Sequence, residues 1–167
     1  GDESGAFPMQ RLTPRTLACD DGTQIVQGSD LPAGIDLSGA WYDPARSGQG
    51  FTFNATGARF KSFLAGWFTY DAEGAVDDPD AQHWFTLQGA TPDRYGQPIA
   101  TKIHRTIGGS RAGAPTQNSH QVDNAMLTVH DCATATLEYV FDDSALAGAF
   151  ANRSRSIALR RLGSCPN

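Results

Sequence analysis

The sequence predicts an all-β chain, and three observations carry that prediction. Its 167 residues include 18 Gly and 9 Pro, the residues that punctuate short strands and turns. Only two Lys (Lys61, Lys102) and three Glu (Glu3, Glu73, Glu138) occur. Both types are strong helix formers that populate solvent faces of helices, so their scarcity speaks against a helical fold. Short aromatic and β-branched runs separated by Gly, Pro and Asp complete the pattern. The length is that of one domain.

Residues 1–36 are rich in Pro, Asp and Gly, and only Gln24-Ile25-Val26 reads as a strand. They are expected to form an extended N-terminal arm packing on the domain, which occupies 37–167. From Ser38 onward strands are predicted over 39–43, 50–56, 59–70, 82–88, 98–107, 124–131, 134–142 and 155–162. Thr56-Gly57 turns the second into the third, and Asp71-Ala72-Glu73-Gly74 ends the third. The segment 108–121 has no apolar side chain larger than Ala or Pro and predicts a long surface loop. Strand 59–70 is apolar on both faces, with Phe60, Leu64, Phe68 and Tyr70 on one and Phe63 and Trp67 on the other. Such a strand belongs between a barrel interior and a covering element or arm. Eight strands in one meander predict a single antiparallel up-and-down, calycin-like barrel, which removes exposed edges. A two-sheet β-sandwich is the alternative.

A net charge of -5 and a pI near 5.2 provide no attraction for phosphate backbones, which excludes nucleic acid as a partner. With 40% hydrophobic and 19% charged residues the chain is not a disordered one. No run approaches 18 apolar residues, so no helical membrane span is expected. Gly1-Asp2-Glu3-Ser4 lacks a basic n-region and an apolar h-region. It reads as a mature or trimmed end, compatible with a lipid anchor upstream.

Three cysteines occur, Cys19, Cys132 and Cys165, none within four residues of another. The paired spacings of zinc and redox motifs are therefore missing. If the last two strands form a hairpin with Leu137 facing Leu159 and Tyr139 facing Ile157, Cys132 comes within one residue of facing Cys165. That register predicts a Cys132–Cys165 disulfide and an oxidising compartment, with Cys19 left over. Three reduced, buried thiols are the alternative.

The run Ser38-Gly39-Ala40-Trp41-Tyr42-Asp43-Pro44-Ala45-Arg46-Ser47-Gly48-Gln49-Gly50-Phe51 is followed by four further motifs. These are Gly66-Trp67-Phe68-Thr69-Tyr70, the Gln82–Gly89 strand QHWFTLQG, Thr106-Ile107-Gly108-Gly109, and a close from Asp131-Cys132 to Leu159-Arg160-Arg161-Leu162. Over about residues 38–165 this resembles a family of β-domains in secreted and cell-envelope proteins of Gram-negative bacteria. The resemblance implies a stand-alone or accessory extracellular or periplasmic module, and implies no reaction. Leu37–Asp43 also resembles the opening of avidin-like calycin barrels. Avidins have Asn where Asp43 stands here and most of their ligand-binding residues have no counterpart, so biotin is not implied.

Catalytic signatures fall short. Gly108-Gly109-Ser110-Arg111-Ala112 lacks the final Gly of a nucleophile elbow. No spacing singles out a triad from His83, His104, His120 or His130, and three Glu leave little for a paired-carboxylate site. Asp71, Glu73, Asp77, Asp78 and Asp80 have oxygen ligands for calcium but not the EF-hand pattern, and a solvated loop is the simpler reading. His104 and His130 fall on predicted strands and could share a sheet face. Neither cofactor nor metal is expected.

The densest chemistry lies in the loop Asp43–Gly50. Asp43, Arg46, Ser47 and Gln49 stand beside Trp41 and Tyr42 and, further along the chain, Trp84. Rings edged by hydrogen-bonding groups suit a carbohydrate- or peptide-binding rim. The competing reading makes this loop a structural clasp and the tryptophans core. Three functions follow: a non-catalytic binding module for a protein or glycan partner of the cell envelope, a carrier of a small apolar ligand inside the barrel, or a small hydrolase.

Overall fold

The computed structural model describes residues 16–18, 24–26, 37–46, 48–55, 61–71, 81–108, 117–143, 147–163 and 165. Two short strands, β1 (Thr16–Ala18) and β2 (Gln24–Val26), pair antiparallel as a separate sheet. Gln24–Val26 is the run expected to be a strand, and Thr16–Ala18 adds one that was not expected; the rest of the arm, with Cys19, lies outside the described residues.

The remaining strands are β3 (Gly39–Tyr42), β4 (Gly50–Ala55), β5 (Ser62–Tyr70), β6 (Gln82–Ala90), β7 (Pro98–Gly108), β8 (Gln117–Val129), β9 (Thr134–Phe141) and β10 (Ser154–Arg161). Each pairs antiparallel with the next, and β10 returns to β3, closing an eight-stranded up-and-down barrel. The barrel reading holds and the sandwich falls. The closing seam is short: Arg160 opposes Tyr42 and Arg161 opposes Trp41, and the Leu162 amide adds a bond to the Ala40 carbonyl at 2.8 Å. The Arg161 guanidinium reinforces it, donating to the Ser38 carbonyl at 2.5 Å and lying 5.9 Å from the centre of the Trp41 ring.

Period-two alternation places the core. Phe51, Phe53 and Ala55 of β4, Phe63, Ala65 and Trp67 of β5, Phe85 and Leu87 of β6, and Leu137, Tyr139 and Phe141 of β9 are all buried and occupy the inward positions. Their rings fill the barrel in a connected stack. Centroid separations are 5.4 Å for Phe51–Trp67, 5.4 Å for Trp67–Phe85, 5.1 Å for Trp67–Tyr139 and 5.3 Å for Phe85–Phe141. Each such pair adds about 0.5–1.5 kcal/mol beyond its area burial.

Three expectations are corrected. First, β8 begins at Gln117 rather than 124, so the last residues of the predicted 108–121 loop are strand. They pair with the end of β7, Gly108 opposite Gln117 and Arg105 opposite His120. The hairpin outruns the apolar interior there, and ladder hydrogen bonds need no apolar side chains. Second, the β9–β10 register differs by two residues: Leu137 opposes Ile157 and Tyr139 opposes Arg155. The disulfide nevertheless forms, with Cys132 and Cys165 Cα atoms 5.7 Å apart. Gly163, at φ +100°, turns the chain after β10 back toward the β8–β9 hairpin, a conformation open to Gly at little cost. Third, β5 is buried on one face only. On its outer face Phe68 and Tyr70 are exposed, and Phe68 packs against exposed Trp84 with ring centres 5.8 Å apart. Two aromatic rings on adjacent strands shield each other.

Candidate functional site

The chain segments 43–49 and 142–153 emerge at the same end of the barrel, since β10 runs antiparallel to β3 and begins beyond the end of β3. The described residues of the first are braced for reasons visible in the sequence. Asp43 is buried, its Oδ1 accepts the Ala45 amide at 2.9 Å, and the Arg46 amide donates to the Asp43 carbonyl at 3.0 Å. This is a turn opened by an Asx bond, with Pro44 at the position whose φ proline sets in advance. Gly48 sits at φ +80°, where an added Cβ would meet the Tyr70 ring at 3.2 Å, so the loop lies directly on the end of β5. Gln49 completes the attachment, its Oε1 accepting from the buried Thr69 hydroxyl at 3.0 Å.

Beneath this loop is a pocket of about 310 Å³. Arg46 and Gln49 contribute from the loop, Trp67, Thr69 and Tyr70 from β5, and Tyr139 from β9. Phe150, Asn152 and Arg153 contribute from segment 142–153, with Ser154, Arg155 and Ile157 from β10. The inward columns explain its character. On β10 the column reads Leu159, Ile157, Arg155, and on β5 it reads Phe63, Ala65, Trp67, Thr69. Both change from apolar to polar at the same end, so the core opens into a polar mouth.

The electrostatics of the mouth are cationic. Burial pushes the Tyr139 phenol above its ordinary value, while Arg46 and Arg153 pull it the other way. Both guanidinium groups therefore act on that hydroxyl, and Arg155 stands opposite Tyr139 in the ladder. Arg153 is held by its Nε donating to the Ala149 carbonyl at 3.0 Å. The indole N–H of Trp67, a ring 1% exposed, has no hydrogen-bond partner. A buried donor without a partner costs about 1–3 kcal/mol. Among the described residues neither a carboxylate nor a histidine lines the pocket.

Of the residues singled out from the sequence, Arg46 and Gln49 meet in this pocket, and Trp41, Tyr42, Asp43 and Trp84 do not. Trp41 is core: it is 1% exposed, stacks on Phe53 at 5.2 Å and donates its Nε1 proton to the Leu37 carbonyl at 3.3 Å. Asp43 is spent on its own turn. Tyr42 is half-buried at an outward position of β3, and Trp84 stands on the outer wall, 62% exposed. Ser47 lies outside the described residues. Asp43 and Gln49 make the bonds of a structural clasp, and Arg46 and Gln49 also line the pocket. Thr69, Tyr139, Asn152, Arg153 and Arg155 were missed, although Arg155 at an inward strand position was a usable signal.

Of the candidate calcium loop only Asp71 is described, its Oδ1 at 2.5 Å from His83 Nε2; Glu73, Asp77, Asp78 and Asp80 lie outside the described residues. His104 and His130 are not neighbours. His104 opposes Gln121 of β8, nine residues before His130 and so about 30 Å along the strand, and His130 bonds Thr136 at 2.8 Å. Among the described residues, no group of three or more His, Cys, Asp or Glu could hold a metal, and no helix is long and apolar enough to cross a membrane. The disulfide is compatible with a secreted protein. Compared with protein-family models, curated proteins and solved structures, the chain finds no match in any of the three.

Proposed function

We propose that this protein is a non-catalytic binding module that engages a glycan or protein partner of the cell envelope through the polar mouth of its barrel. The observation that carries the reading is the braced loop Asp43–Gly50 over the pocket. A loop already fixed by the Asp43 turn, by contact with Tyr70 and by the Thr69–Gln49 bond presents Arg46 with little ordering cost on binding. The pocket offers cations, hydroxyls and amides, a donor set suited to recognition. The chain's resemblance to secreted and envelope β-domains of Gram-negative bacteria, together with the disulfide, supports an extracellular or periplasmic setting. The apolar-carrier alternative is not favoured, because the interior is occupied by the ring stack around Trp67.

The test compares wild type with Arg46→Ala/Arg155→Ala for retention on purified Gram-negative envelope material containing sacculi and outer-membrane fragments. Loss of retention at an unchanged melting temperature supports the mouth as the site. Retention at the wild-type level by the folded double variant overturns it.

A further inference from the structure

Resting on the binding-module reading, we infer that the mouth pocket holds one acidic sugar residue, its acid group between Arg46 and Arg155. Three arginines converge on a pocket without an acidic lining residue among those described, in a chain whose net charge is -5. That local reversal of sign selects an anion. The planar guanidinium fork matches a carboxylate in two parallel hydrogen bonds, which makes Arg the usual partner for that group.

The rest of the lining argues for a sugar rather than a bare ion. Gln49, Asn152 and Ser154 offer amide and hydroxyl groups of the kind that pair with ring hydroxyls. The Trp67 and Tyr139 rings provide flat apolar surface. At about 310 Å³ the pocket is at the small end of ligand sites. It admits a single ring, with further residues of a glycan leading out past the half-buried Gln49 and exposed Tyr70.

The three tryptophans make the test specific, because their indole N–H groups sit in three environments: Trp41 bonded to Leu37, Trp84 on the outer wall, and Trp67 in the pocket. Protein with 15N-labelled indoles is titrated separately with glucuronate, glucose and inorganic sulfate at fixed pH and ionic strength, and Trp67→Phe assigns the resonance. Glucuronate should move the Trp67 signal and leave Trp41 and Trp84 in place. Glucose and sulfate should each bind at least about tenfold more weakly, and Arg46→Ala/Arg155→Ala should weaken glucuronate by a similar factor while keeping the dispersed indole spectrum of the folded chain. Equal affinity for glucose overturns the acid assignment, and equal affinity for sulfate overturns the sugar. No shift with any of the three overturns the inference altogether. In that case envelope retention that still depends on Arg46 and Arg155 keeps the binding-module reading standing, with a different ligand.

Discussion

Trp67 joins two roles that separate by substitution. Its indole touches Phe51, Phe85, Tyr139 and Phe141, so Trp67→Ala should destabilise the barrel by about 3–5 kcal/mol in denaturant unfolding. Trp67→Phe keeps an aromatic ring in the stack, removes the unpartnered N–H and leaves a smaller cavity than alanine does, so it should lose less stability while changing the pocket. Gln49 tests the clasp: Gln49→Ala leaves the buried Thr69 hydroxyl without its acceptor and should cost about 1–3 kcal/mol by the same measurement. Among the described residues, Asp131 and Tyr139 are displaced from their ordinary values. Asp131 is held below its ordinary 3.8 by the Ala133 amide, then by the Thr134 hydroxyl. Its contribution is present above that value and disappears as pH falls through the lower folded one. Melting curves of wild type and Asp131→Ala should therefore converge on acidification. Tyr139, raised above 10.0 chiefly by burial, contributes below pH 10 and loses that contribution as pH rises through its folded value. What the sequence shows at this scale is composition. The chemistry of loop 43–50 is visible in Arg46 and Gln49, whereas the burial of Asp43 and Trp41 depends on closure with strands far away in the chain.

Strand existence is legible because alternation runs through most of the barrel strands, changing phase in β8 between Val122 and Ala125, opposite the register shift at Ile103/His104 of β7, whereas pairing is not. Shifting β10 against β9 by two residues leaves Ile157, Leu159, Leu137 and Tyr139 on the inward face, so the hydrophobic pattern cannot distinguish the two registers. The same ambiguity hid Arg155, whose place beside Tyr139 depends on the true register. The β7–β8 extension escaped for a different reason: Gln117–Gln121 lies beyond the core, where no apolar pattern is required. Two predictions belong to the elements. The seam between β3 and β10 has two paired positions, against seven between β9 and β10, and should open first. Native-state hydrogen exchange should find the Leu162 amide, which donates to the Ala40 carbonyl across the seam, less protected than those of Leu137 and Ile157. The Cys132–Cys165 bridge closes a separation of 33 residues, and its removal in Cys132→Ser/Cys165→Ser should cost about 2–4 kcal/mol.

The whole molecule is a barrel filled by aromatic rings, with Arg161 and the disulfide at one end and a cationic mouth at the other. Closure was inferable from eight strands and the need to remove edges. The mouth was not, because it is assembled from segments around 46, 69, 139 and 153 that only the closed topology brings together. Those segments make the central claim, that ligand enters at the mouth, directly measurable by backbone amide shifts on adding solubilised envelope glycan. The account predicts perturbations confined to residues 46–50, 67–70, 139 and 150–157. Perturbations centred on Trp84 and the outer wall of β6, or on the opposite end around 91–97 and 130–133, with the mouth unmoved, would contradict it.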